Sequence, residues 1–174
     1  MISSNFVPEK INEFNAYLAG VGMIGVAASI PLPPLDMMSS TISGVGISGE
    51  IDSPTLGQFR SIEQDITFNI LYSSAMEMVS PLSTVDLTFR AAQQVYDKNG
   101  GYTFKGLRIV ERGRVKSVQL GKIEKGATMD TVVKLEVTYI LIEVDGETLM
   151  ELDKLNTKYY VKNRDMLAEV RSLI

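Results

Sequence analysis

Neither cysteine nor histidine occurs in the 174-residue chain. The first absence removes disulfides, thiolate zinc sites and a cysteine nucleophile together. The second removes the commonest general base and the commonest transition-metal ligand, so most hydrolase chemistries lose a central group. An unbroken apolar helix is missing as well. Ala16 to Leu35 is free of charge, but Gly20, Gly22, Gly25 and Ser29 interrupt it and Pro31, Pro33 and Pro34 end it, so no membrane-spanning helix is expected. The basic start of a signal peptide is also lacking. Positive charge is scarce in the first third, where residues 1–58 hold Lys10 alone against Glu9, Glu13, Asp36, Glu50 and Asp52.

What is present suits one packed domain, residues 1–174, with 45% hydrophobic and 22% charged residues and no compositional break that would mark a linker. The net charge of −4 resides in residues 1–58. Residues 98–125 carry the opposite sign: Lys98, Lys105, Arg108, Arg112, Arg114, Lys116, Lys122 and Lys125 stand against Glu111 and Glu124. The chain is therefore polarised along its length.

Its dominant period is two. Ile62, Ile66, Phe68, Ile70 and Tyr72 alternate with Glu63, Asp65, Thr67 and Asn69, the mark of a half-buried strand. Val85, Leu87, Phe89 and Ala91 repeat the pattern, and so do Val133, Leu135, Val137, Tyr139 and Leu141 before Ile140, Ile142 and Val144 make both faces apolar. Asp145-Gly146 then predicts a tight turn into a strand starting near Glu147, because both residues tolerate positive φ. A second hairpin is expected between Phe14–Leu18 and Gly25–Ile30. Two helices are predicted. One is a short segment with Ser74 and Glu77 as a capping box and Pro81 beyond it. The other is a C-terminal helix capped by Asn163, with Met166, Leu167, Val170, Leu173 and Ile174 on its apolar face and Asp165 near its positive end. The fold class is thus mostly β with some α.

Gly20-Val-Gly-Met-Ile-Gly25 and Gly44-Val-Gly-Ile-Ser-Gly49 both match GxGxxG, but Pro31 and Asp52-Ser53-Pro54 follow too soon for the helix that a dinucleotide site requires. They read as turn glycines. Arg108, Arg112, Arg114 and Lys116 share parity and would line one strand face, which makes a basic-faced nucleic-acid-binding β-domain the alternative reading. Only Tyr102 and Phe104 are near enough to stack bases, so a solvated face, or one that meets the acidic third of another copy, is favoured. Glu151 and Asp153 share parity at a strand end without the spacing of a catalytic or metal pair, and the nine methionines read as packing. Residues 39–58 are too long and too apolar for a solvated loop. Val45, Ile47 and Ile51 alternate with Gly44, Gly46, Ser48 and Glu50 as in a thin hairpin arm that needs a partner surface.

Several stretches in order resemble the major tail tube proteins of contractile phage tails and phage-tail-like bacteriocins. These are Tyr17-Leu-Ala-Gly20 leading to Gly25-Val-Ala and Ile30-Pro-Leu-Pro, then Gly44 to Asp52 with Gly57, Arg112-Gly113, Val137-Thr-Tyr139, Asp145-Gly146 and Glu151-Leu-Asp-Lys-Leu-Asn156. The resemblance spans about Phe14 to Ile174. It implies a small β-barrel or sandwich with a flanking helix, and hexameric rings stacked into a hollow tube inside a sheath. It implies no catalytic residue, no metal and no cofactor. The expected partners are further copies of the chain, a sheath protein and a baseplate initiator, with DNA or ions passing through the lumen unbound. The expected location is a virion tail or an extracellular bacteriocin particle assembled in the bacterial cytoplasm. Candidate contact residues are Gly44, Gly46, Ile47, Gly49, Glu50, Asp52 and Leu56 on the arm, with Arg108, Arg112, Arg114 and Lys116 as the complementary face.

Overall fold

The computed structural model describes residues 6–174. In chain order the elements are β1 (Phe6–Leu18), β2 (Val21–Met23), β3 (Met37–Ile42), β4 (Ile51–Phe59), β5 (Glu63–Phe68), α1 (Ser73–Glu77), β6 (Val85–Asp97), β7 (Gly101–Gln119), β8 (Thr131–Val144), β9 (Glu147–Asp153), β10 (Lys158–Val161), β11 (Arg164–Asp165) and α2 (Ala168–Ser172). Nine strands make one antiparallel sheet in the order β11-β10-β9-β8-β7-β6-β1-β2, with β5 added on β8, while β3 and β4 pair only with each other. The protein is mostly β; each helix is five residues long.

Alternation becomes burial where the sequence shows it. Ile62 just before β5 and Gln64, Ile66 and Phe68 within it are buried, as are Val85, Leu87 and Phe89 along β6, whereas β5 ends at Phe68 and Ile70, expected to continue the alternation, is exposed. Buried Gln64 stands in the apolar set because its amide donates to the carbonyl oxygens of Pro31 at 2.9 Å and Asp65 at 2.6 Å. On β8, Val133, Leu135 and Val137 face the core, and a bulge at Thr138 shifts the parity so that Ile140 follows them inward. β8 also changes partner at that point. Its first half pairs with β5 and its second with β9. Asp145 (φ 52°) and Gly146 (φ 79°) make the expected tight turn.

Four expectations are corrected. The main sheet does not close into a barrel: it remains open between β2 and β11, and the nearest approach to closure is the isolated Val26–Phe68 bridge, with Ala27 N–H to Thr67 O at 2.9 Å and Asn69 N–H to Gly25 O at 2.8 Å. Gly25–Ile30 is not a strand against β1; the tight Ala19-Gly20 turn instead brings Val21–Met23 back first. Ser74 lies inside α1, whose N-cap is Tyr72 without a side-chain cap. Asn163 caps no helix. Lys162 (φ 47°) and Asn163 (φ 61°) form the β10–β11 turn, a left-handed pair that asparagine tolerates, and α2 starts after Leu167. Of the apolar stripe only Leu167 is buried, while Val170, Leu173 and Ile174 remain exposed. Asp165 does sit at the helix start, accepting from the Leu167 N–H at 2.9 Å and pairing with Arg171.

Candidate functional site

The arm expected over residues 39–58 lies within the β3–β4 hairpin, residues 37–59, which is separate from the main sheet and anchored at its base. Phe59 meets Tyr159 edge to face at 5.1 Å, and the backbone at Gly57 (φ 77°) runs so close to Leu167 that a Cβ would lie 2.6 Å from it. Beyond that base the arm is bare. Ile51 is 54% and Leu56 51% exposed, Val45 at the tip is fully exposed, and Glu50 and Asp52 are exposed beside them. Asp52 accepts from the Ser39 hydroxyl at 2.9 Å. Gly46 (φ 89°) and Gly49 (φ 104°) supply tip turns, and Gly20 (φ 84°) and Gly25 (φ 89°) supply turns in the first glycine motif, none of them opening a helix.

A second unpartnered feature was not expected. Among the described residues β1 from Phe6 to Asn15 is paired with β6 on one edge only, and β7 from Gly101 to Lys105 likewise, so β1, β6 and β7 form a ribbon extending past the core. It carries Phe6, Val7, Ile11, Tyr96, Tyr102 and Phe104 as exposed apolar side chains, with Tyr96 and Tyr102 in an edge-to-face pair at 5.6 Å. Phe6-Val-Pro-Glu-Lys-Ile lacks clean alternation, which hid this part of β1.

The basic residues do gather on one sheet face, arranged in rows across the strands. Arg90, Arg108 and Glu143 stand side by side on β6, β7 and β8; past Thr88, Val110 and Leu141, which carry no charge on those three strands, Asp86, Arg112, Tyr139 and Asp153 form a second charged row, and Arg114, Glu136 and Glu63 a third. The bases of β7 are thereby flanked by acids. Arg108 bonds Glu143 at 2.8 Å and Arg112 bonds Asp86 at 2.9 Å while lying over the Tyr139 ring at 4.9 Å. Lys116, at a bulge of β7, pairs with Glu63 and lies 3.8 Å from Glu136. The ammonium groups of Lys116 and then Lys134 hold the Glu63 carboxyl below its ordinary range. Arg114 has no carboxylate within 4 Å among the described residues. A base row seen in sequence is thus largely an ion-paired row in the fold, and its acids come from strands that parity alone cannot align.

The opposite face of β7 holds another surprise. Glu111 lies between Ile109 and Gly113 with Leu87 and Ile140 as cross-strand neighbours, is 1% exposed, and neither of its carboxyl oxygens has a hydrogen-bond partner among the described residues. Burial pushes its pKa up to about 7. Among the described residues no group of three His, Cys, Asp or Glu side chains could hold a metal ion, and no helix is long and apolar enough to cross a membrane.

A model of the family described as phage tail tube protein FII matches residues 8–174. The chain is 27% identical over 173 residues to the tail tube protein of Escherichia phage P2, covering 95% of this chain and 96% of that one. It is 23% identical over 153 residues to the major tail tube protein of Serratia phage KSP20, covering 88% and 87%.

Proposed function

The chain belongs to the phage tail tube protein FII family, and on that premise we propose that it is a structural subunit whose copies form hexameric rings stacked into the hollow tube of a contractile tail. It is a building block, not an enzyme. The observation that carries the reading is the pair of apolar features left uncovered among the described residues, the arm and the β1–β6–β7 ribbon. Exposed strand edges and apolar side chains at such density are stabilised by a second copy, and head-to-tail contacts that do not close on themselves generate a filament. In this reading the tube lies within a sheath, grows from a baseplate initiator, and conducts DNA in a virion or ions in a bacteriocin particle.

The arm residues Gly44, Gly46, Ile47, Gly49, Glu50, Asp52 and Leu56 would lie against a neighbouring copy, with Arg108, Arg112, Arg114 and Lys116 on the receiving side. Of these four bases Arg114 has no carboxylate within 4 Å among the described residues, so it is the one assigned to Glu50 or Asp52 of the neighbour. Apolar contact rather than net charge carries most of the affinity, because the other three bases are already paired.

Negative-stain electron microscopy over a concentration series, with and without a baseplate initiator, tests the reading. Rings or hollow tubes are expected from the wild type. The double substitution Ile51→Asp and Leu56→Asp is expected to abolish them while leaving the thermal midpoint within a few degrees, since both side chains are half exposed in the single chain. Tubes that persist in this variant overturn the role of the arm, and a wild type that remains monomeric even with the initiator overturns the assembly.

A further inference from the structure

We propose that the polar face of the main sheet is a latent polyanion-binding surface masked by its own carboxylates, with Asp86 and Glu143 as the masking residues and the phosphate backbone of nucleic acid as the ligand the unmasked face would take. The inference rests on the ion pairs within one chain and concerns the unassembled subunit, since in the proposed tube a neighbour's arm covers Arg108, Arg112 and Arg114.

The geometry is that of a basic spine between acidic rails. β7 contributes Arg108, Arg112 and Arg114 with intact parity, and β6 adds Arg90 directly opposite Arg108. Two guanidinium groups facing each other across a ladder repel, and Glu143 on the far side of Arg108 relieves that repulsion. Arg112 is held the same way by Asp86. Both pairs are solvent-facing, with the arginine side chains 45% and 51% exposed, so each pair contributes little to folding. What they do change is the field above the face. Four arginines spread over three rows would otherwise present fixed positive charge along the face, the footprint that releases counterions from a nucleic-acid backbone.

The face also has shape. A shallow groove of about 680 Å³ runs along it, lined by Tyr17, Arg90, Phe104, Lys105, Arg108 and Glu143. Arg90 lies over the Tyr17 ring at 5.7 Å. Aromatic and basic side chains along one groove are the elements of single-strand binding, and here three carboxylates, Glu13, Glu143 and Asp145, sit among them, Asp145 3.9 Å from Lys105.

The test removes the mask without changing side-chain size. Asp86→Asn with Glu143→Gln, Glu143→Gln alone, and a control of equal charge change at exposed sites elsewhere, Glu77→Gln with Glu169→Gln, are compared with the wild type for binding of a fluorescent single-stranded oligonucleotide across a salt series. The face double variant is expected to bind at least about tenfold more tightly than wild type near 50 mM salt, with a log–log salt slope of about −3, while the control gains little. Glu143→Gln alone is expected to give roughly a threefold gain, which keeps the test decisive should the double variant fold poorly. Equal gains in the face and control variants mean that net charge alone acts and overturn the proposal. So does the absence of any gain in either face variant, or a wild type that already binds as tightly as they do.

Discussion

Glu111→Gln is expected to raise the unfolding free energy by about 3 kcal/mol at pH 8 and to leave it nearly unchanged at pH 4. The carboxyl is buried on the core face of β7, and burial alone shifts it from an ordinary 4.5 to about 7. At about 1.36 kcal/mol per pH unit, that difference corresponds to about 3 kcal/mol. The sign follows from which state holds the proton. Below pH 4.5 both folded and unfolded chains are protonated at this position, and there is no pH dependence. Between 4.5 and about 7 the folded chain keeps a proton that the unfolded chain has lost, so stability falls as pH rises. Above about 7 the whole cost is present, and glutamine, which cannot ionise, escapes it.

Other groups titrate in different windows. Asp165 is lowered chiefly by its hydrogen bond to Arg171, and Glu63 by Lys116, so each adds stability that is lost as pH drops below the ordinary carboxylate range. From pH 5 to 7 the fall should therefore belong to Glu111. Urea unfolding of wild type and variant at half-unit steps between pH 4 and 8 checks this. A wild-type midpoint that stays flat from pH 5 to 8, or a variant whose advantage is equal at both ends, would refute the assignment. Glu111→Leu should stabilise further, and at acid pH too, because it also removes two buried oxygens that have no partner.

Strand parity carried much of the fold into view before any coordinates. Alternation selects the buried Ile62, Ile66 and Phe68, Val85, Leu87 and Phe89, and Val133, Leu135 and Val137, but it overruns β5, which ends at Phe68 and leaves Ile70 exposed; Asp145-Gly146 turns where two positive-φ residues are needed. The arm was legible for a negative reason: its apolar residues alternate with glycine and acid, leaving nothing to bury them against. Glu111 was not legible, because a carboxylate between Ile109 and Gly113 reads as a break in the apolar pattern, whereas the ladder on both sides holds it in the core. The ion pairs of Arg108, Arg112 and Lys116 were hidden for a related reason. Their partners lie on other strands, Asp86 on β6, Glu143 on β8 and Glu63 on β5, and for Lys116 the register also depends on bulges at Thr138 and at Lys116 itself that no periodicity announces. At the C-terminus the apolar spacing of Met166, Leu167 and Val170 gave a helix, but the left-handed Lys162-Asn163 turn consumed its predicted cap. Open strand edges and a sheet left unclosed at β2 and β11 are properties of one copy of a chain whose family builds tubes.

Gly113→Ala is expected to destabilise the fold by about 3 kcal/mol or more, whereas Gly106→Ala, seven positions earlier in the same strand, should cost little. The contrast is not one of backbone conformation, since neither glycine has a positive φ. It lies in what a methyl group would meet. At Gly106 there is nothing within 4 Å, while at Gly113 a Cβ would overlap the Glu136 carbonyl oxygen and lie 2.9 Å from its carbon and 3.0 Å from the Val137 Cα. Backbone cannot rotate away as a side chain does. To admit the methyl, β7 and β8 would have to separate at the point where β8 passes from β5 to β9 and where the Val137 N–H donates to Ile62 O at 2.8 Å. The same separation would move Arg114 from its neighbour Glu136 and disturb the Arg112–Asp86 pair, so the charged face would lose its order along with the core. Urea midpoints of the two variants provide the comparison, and amide hydrogen exchange at Val137 and Arg114 should rise in Gly113→Ala alone. If both glycines tolerate alanine equally, the close approach at Gly113 does not constrain the ladder, and the Arg112-Gly113 step owes its glycine to something other than this contact.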